Sequence, residues 1–286
     1  MSGLHRLPVT AYPLWLASPL ALAMMLFFAA PLLMLGVVSF YGDTAMSQWG
    51  SGASWAKMFD VFGLFVLADT LWLGVQVTVL SLLLGFALAW VFVRLPAGLQ
   101  PLVIFIIMLP LLTSVVVRTF AWIVILGRQG IVNSVLMDLG WLDAPAKLLY
   151  TRAGLIITLT NVQLPLMVLP LITALQRIDT NLADASASLG ASEWQTFKKV
   201  TIPLSLPGVI AGCLLTFSAA ITAFISQSLI GGGQMLFMPM YLYQQVSAVS
   251  NFPFAAAISL TFLATVIVCV SVFNLLGRLS RGYAAG

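Results

Sequence analysis

Long apolar runs with almost no charge recur along this chain, and no other feature narrows its fold so far. Leu14 to about Phe40 carries no charged residue, and Leu102 to Leu126 carries only Arg118. About 20 such residues suffice to cross the hydrocarbon core of a bilayer as a helix. A helix also closes its own backbone hydrogen bonds where no water is available. A transmembrane barrel would instead show alternating segments of about 10 residues. Composition agrees: 61% of the 286 residues are hydrophobic and 7% are charged, against a charged share of about 25% in soluble domains. The expectation is an all-α polytopic membrane protein, one transmembrane domain over residues 1–286. Its spans, about six, fall near 14–38, 66–93, 101–126, 154–176, 207–230 and 255–277.

The first run is longer than the apolar core of about 7–15 residues in a cleaved signal peptide, so it reads as a retained span. The fourth holds Asn161, Gln163, Pro165 and Pro170. It is therefore expected to be kinked and packed inside the bundle, where neighbours can satisfy the carbonyls that proline frees.

Lys and Arg in short loops are retained on the cytoplasmic side. With the N-terminus inside, the inner segments hold Arg6, Arg94, Arg177, Lys198, Lys199, Arg278 and Arg281, and the outer ones hold Lys57, Arg128, Lys147 and Arg152. This bias places both termini in the cytoplasm.

Several function classes lack their residues. Cys213 and Cys269 lie in apolar runs and read as small packed hydrophobes. His5 is the only histidine, which leaves no histidine metal site or Ser/His pair. No basic cluster with interleaved aromatics suggests nucleic acid. No paired carboxylates or nucleophile–base set lies within the spans, so an enzyme is not expected. A self-sufficient secondary transporter, the alternative, would call for intramembrane Asp, Glu or His and inverted repeats; neither is evident. There is no G-x-x-x-x-G-K-[ST] phosphate loop. Gly231-Gly232-Gly233 lacks the following Lys and reads as a flexible outer turn.

The longest polar stretch on the expected inner side is residues 177–206. Asp179 or Thr180 can cap a helix starting at Asn181. Leu182, Ala185 and Leu189 fall on one stripe at helical spacing, and Gly190 supplies a left-handed stop. A second amphipathic segment carries Trp194, Phe197 and Val200, and Pro203 and Pro207 lead into the fifth span. Taken alone, this chemistry also allows a loop whose aromatics anchor at the headgroups.

The spacing says more. Asp184-Ala185-Ser186, three residues, Gly190, nine residues, then Val200-Thr201-Ile202-Pro203 resembles the EAA loop of binding-protein-dependent ABC importer permeases. There the pattern is Glu-Ala-Ala, three residues, Gly, nine residues, Ile-x-Leu-Pro. Arg118-Thr119-Phe120-Ala121-Trp122, Gly127 to Asn133, and the Leu164-Pro165 and Leu169-Pro170 pairs resemble spermidine/putrescine-type permeases.

The resemblance implies a type I ABC importer permease fold in a bacterial inner membrane, with a cytoplasmic coupling helix. It also implies two ATPase subunits, a second permease in a heterodimer and a periplasmic solute-binding protein. ATP and Mg would be bound by the ATPase, with no cofactor on this chain. The solute would be a polyamine, or else an opine, amino-acid derivative or phosphonate. Asp184, Ala185, Ser186, Leu189, Gly190, Ala191, Phe197 and Pro203 would form the ATPase-coupling loop. Intramembrane polar and aromatic groups, Arg118, Trp122, Asn161, Gln163, Phe224 and Gln227, are candidates for the solute pathway or gate. Gln76 and Ser226 are further candidates, and Asp69 is an available partner for Arg118.

Overall fold

The computed structural model describes residues 18–42 and 44–284. The helices, in chain order, are α1 Ser18–Val38, α2 Ala53–Met58, α3 Val61–Phe92, α4 Gln100–Leu112, α5 Val115–Leu126, α6 Ile131–Asp138, α7 Arg152–Gln176, α8 Thr180–Ser188 and α9 Glu193–Thr196. A π-helical turn at Phe197–Thr201 then leads into α10 Ile202–Ile221, followed by α11 Phe224–Gly231, α12 Met238–Ser247 and α13 Phe252–Ala284. Among the described residues, six helical segments are long and apolar enough to cross a membrane: 18–38, 61–92, 115–138, 152–176, 193–221 and 252–275.

Helices α3, α7 and α10 form the centre, and α7 is the most buried of the spans, as its polar and proline content predicts. Its helix runs unbroken through Pro165 and Pro170. One end of the core gathers Leu73, Val77, Leu155, Leu159 and Phe237; the other gathers Ala89, Phe92, Met167, Val168 and Leu171. Small residues let the backbones close up, as is usual between membrane helices. A Cβ on Gly208 of α10 would stand 2.7 Å from the Pro170 carbonyl oxygen and closer still to the Ala174 Cβ.

Two expected spans are corrected. The third, expected as one helix over 101–126, is broken at Thr113-Ser114, where the backbone turns extended. Pro110 has already removed a backbone donor from this turn, and the Thr113 hydroxyl donates to the Pro110 carbonyl at 3.1 Å, competing with the helix ladder. The fifth, expected over 207–230, is helical from Glu193 and stops at Ile221, with α11 beginning after a break at Thr222-Ala223. Pro203 cannot donate to the carbonyl four residues back. The chain widens there instead of ending, with the Ile202 N–H reaching the Phe197 oxygen five residues away. The Gly231–Gly233 segment is a formed turn: Gly232, at φ +59°, closes α11 against the ring of Tyr150.

Candidate functional site

Both helix breaks open on one cavity of about 510 Å³, lined by Thr113, Arg118, Gln163, Thr222, Phe224 and Ser226 together with apolar side chains. Gln163 sits near the middle of α7, so this is membrane depth. The breaks are held in register by a buried contact between the hydroxyls of Thr119 on α5 and Ser226 on α11, 3.3 Å apart.

Each break has one carbonyl end and one N–H end, and the two are treated differently. Side-chain donors cover the last carbonyls of α10 and, on α4, the Pro110 carbonyl. Arg118 Nη1 donates to the Pro110 oxygen. Gln227 Nε2 donates to the oxygens of Ala220 at 2.9 Å and Ile221 at 3.3 Å, and the Thr222 hydroxyl donates to the Ser218 carbonyl oxygen at 2.7 Å. The N–H ends, at Ser114 before α5 and Ala223 before α11, have no side-chain cap.

The sequence-derived candidates sort accordingly. Arg118, Gln163 and Phe224 meet at the cavity, and Ser226 joins them. Asn161 is exposed on α7 and does not line it, Trp122 is half-buried against the core, and Gln227 is buried and occupied with capping α10. Asp69 is not the partner of Arg118. It forms an ion pair with Arg152, whose Nε also donates to Gln76 Oε1 at 2.9 Å; Gln76 is not among the described lining residues of the cavity. Thr113 and Thr222 were missed; the available signal is a Thr beside a small residue in an otherwise apolar run.

At the opposite end of the core lies the loop. The Asp179 carboxylate accepts from the Asn181 N–H at 2.9 Å, starting α8, and Gly190 at φ +81° ends it. Ser192 and Gln195 form a capping box that starts α9. The hydroxyls of Ser186 and Thr196, 2.8 Å apart, tie α8 to α9. Ala185 is exposed, Ala191 is half-buried, and Leu189 is 89% exposed; Asp184 lies on α8, its side chain outside what the structure describes. Phe197 turns the other way, against Trp90 and Phe86 of α3, and Pro203 lies in the first turn of α10.

α8 thus presents an exposed Leu182, with exposed Leu189 just after it, and is tied to a helical core. Residues 79–283 match the binding-protein-dependent transport system inner membrane component family. The chain belongs to this family. It is an ABC importer permease, a multi-pass protein of the inner membrane. This permease is 34% identical over 208 residues to the spermidine/putrescine transport system permease protein PotB of Escherichia coli strain K12, covering 73% of this chain and 76% of that one. It is 32% identical over 232 residues to the inner membrane ABC transporter permease protein YdcU of the same strain, covering 77% and 74%. A bacterial ABC transporter that imports the acidic polysaccharide alginate is similar in structure, with a TM-score of 0.76 at 18% identity over 93% of this chain and 96% of that one; this likeness shows the fold.

Proposed function

We propose that this permease forms, with a second permease, the pathway of an ATP-driven importer, and that one of its two ATPases docks on the loop 179–203 of this chain. The observation carrying the docking reading is α8 itself. It ends on an 89% exposed leucine, yet is fastened through Ser186–Thr196 to the start of a helix that continues into the core. An apolar residue so presented is suited to a partner's cleft. With no phosphate loop in this chain, ATP and Mg belong to the ATPase. The solute would arrive from a periplasmic binding protein; the related alginate transporter has been seen in complex with such a protein. Loop charges favour cytoplasmic termini.

Polyamines come first among the solutes, a reading supported by the relatives named for spermidine and putrescine. A second reading, amine solutes that also carry an acid group such as opines, amino-acid derivatives or phosphonates, is favoured by the cavity, which presents Arg118 and no carboxylate among its described lining residues.

The test is uptake by the reconstituted transporter and retention of the ATPase on purification. Asp184→Arg or Gly190→Trp is expected to abolish ATP-driven uptake while the chain still inserts. Normal transport with the ATPase retained would refute the docking reading.

A further inference from the structure

From the geometry of the two helix breaks we infer that the cavity binds an oxyanion, a carboxylate or phosphonate, on the transported solute. The inference rests on the importer reading and, within it, takes the second solute class, amines that carry an acid group, over polyamines.

Four observations converge. Arg118 and Thr113 cover the Pro110 carbonyl of α4 and Gln227 covers the last carbonyls of α10, while the N–H ends of α5 and α11 have no side-chain cap, the Phe224 N–H turning back to the Thr222 oxygen at 2.8 Å. Those ends carry the positive part of the helix dipole and donate hydrogen bonds. Arg118 brings a full positive charge, and its Nε is buried without a hydrogen-bond partner. Gln163 lines the same cavity at 8% exposure and makes no hydrogen bond among the described residues. Its amide is thus open to a bound group in the cavity.

Electrostatics then decides the sign. No Asp or Glu is among the described lining residues, so an ammonium at the centre would face Arg118 and two helix N-termini. An oxyanion would receive charge-assisted hydrogen bonds from the same groups. The Phe224 ring is the feature suited to a cation, through its face. A solute bearing both an amine and an acid uses both halves: acid toward Arg118 and Gln163, amine over Phe224.

Putrescine and 4-aminobutyrate are well matched for the test, being short linear chains that differ at one end, ammonium against carboxylate. Equilibrium dialysis of each radiolabelled probe against the purified complex of both permeases and ATPases, without binding protein, reads the cavity alone. Retention of 4-aminobutyrate is expected to exceed that of putrescine by roughly tenfold, the scale of one charge-assisted hydrogen bond. Arg118→Gln is expected to erase the difference. Because Arg118 also covers Pro110, Gln163→Leu provides an independent variant: it breaks no bond in the structure and should lower 4-aminobutyrate retention by severalfold. Equal or stronger retention of putrescine, retention of neither probe, or no response to either variant would overturn the inference. Nanodiscs of phosphatidylcholine and of phosphatidylglycerol separate solute from lipid: unchanged retention supports a solute site, whereas loss in the anionic lipid assigns the cavity to a headgroup and overturns it. ATP-dependent uptake by the complete transporter is measured in parallel. Its absence would sink the importer reading, whereas its presence without charge discrimination would sink only this inference.

Discussion

The ring of Phe197 meets Trp90 of α3 nearly edge to face, with ring centroids 4.7 Å apart. Trp194 stacks on the same Phe197 ring at 5.5 Å, and the Arg94 guanidinium lies over Trp90 at 3.8 Å. The loop 179–203 is thus joined to the core through an aromatic stack as well as through the chain. This contact sits in the π-helical turn, a rare widening that tends to occur at functional positions.

Phe197→Ala should therefore separate motion of the loop from motion of the spans. The half-buried ring is worth on the order of 2 kcal/mol here, less than a fully buried phenylalanine. The expected outcome is uptake lowered by at least about tenfold, since one decade of rate corresponds to about 1.4 kcal/mol, with ATPase activity and subunit retention preserved. Parallel measurement of phosphate release and solute uptake in proteoliposomes checks it. Equal loss of both activities would mean that the ring only stabilises the fold.

Leu189→Glu tests the other side of the loop. The side chain is 89% exposed, so the change should leave thermal stability of the isolated permease within about 0.5 kcal/mol, as for most surface substitutions. It would place a charge in the apolar contact with the ATPase. Retention of the ATPase on an affinity-tagged permease is expected to fall severalfold. Full retention would show that Leu189 faces something else.

Asp69 and Arg152 hold α3 to α7 through an ion pair with side chains about one-quarter to one-third exposed. Such a pair is worth less than a fully buried one, because water screens it. Asp69→Asn and Arg152→Gln are each expected to lower the midpoint of thermal unfolding in detergent. The double variant should lose less than the sum of the singles, with a coupling of about 1 kcal/mol. Strict additivity would mean that Gln76, which also accepts from Arg152, carries the contact instead.

What could be read beforehand and what could not follows from the range of the interactions. Asp179, Gly190 and Pro203 act on neighbours within a few residues, so the loop's start, stop and spacing were legible. The partner of Asp69 was not, because Arg152 lies 83 residues away and only packing brings the two together. The break at Thr113-Ser114 was hidden because hydropathy stays high from Pro101 to Leu126, and two hydroxyl residues read equally well as a tolerated helix interior. Pro203 and Pro207 misled about the fifth span, since proline usually marks a boundary. Here a turn with one extra residue removes the conflict at Pro203, and the helix runs on to Ile221. The cavity depends on both missed breaks. Its residues could be named as polar groups at depth, but their meeting could not be foreseen.

Gln227 supplies a final test, because sequence alone placed it in the solute pathway and the structure gives it a different task. Its amide nitrogen covers the last carbonyls of α10, at 2.9 and 3.3 Å, and the residue is 1% exposed. Gln227→Leu keeps the volume and removes the donor, leaving two carbonyls at the break uncovered. An unsatisfied buried acceptor costs about 1–3 kcal/mol, so the unfolding midpoint in detergent should fall by several degrees, by roughly 2–4 °C per kcal/mol at this chain length. Gln227→Glu should be at least as damaging, since an ionised carboxylate accepts but cannot donate. Neither change should alter the ratio of 4-aminobutyrate to putrescine retention, which Arg118→Gln is expected to erase. A changed ratio with an unchanged midpoint would return Gln227 to the pathway, with the α10 break held by Thr222 and Ser218 alone.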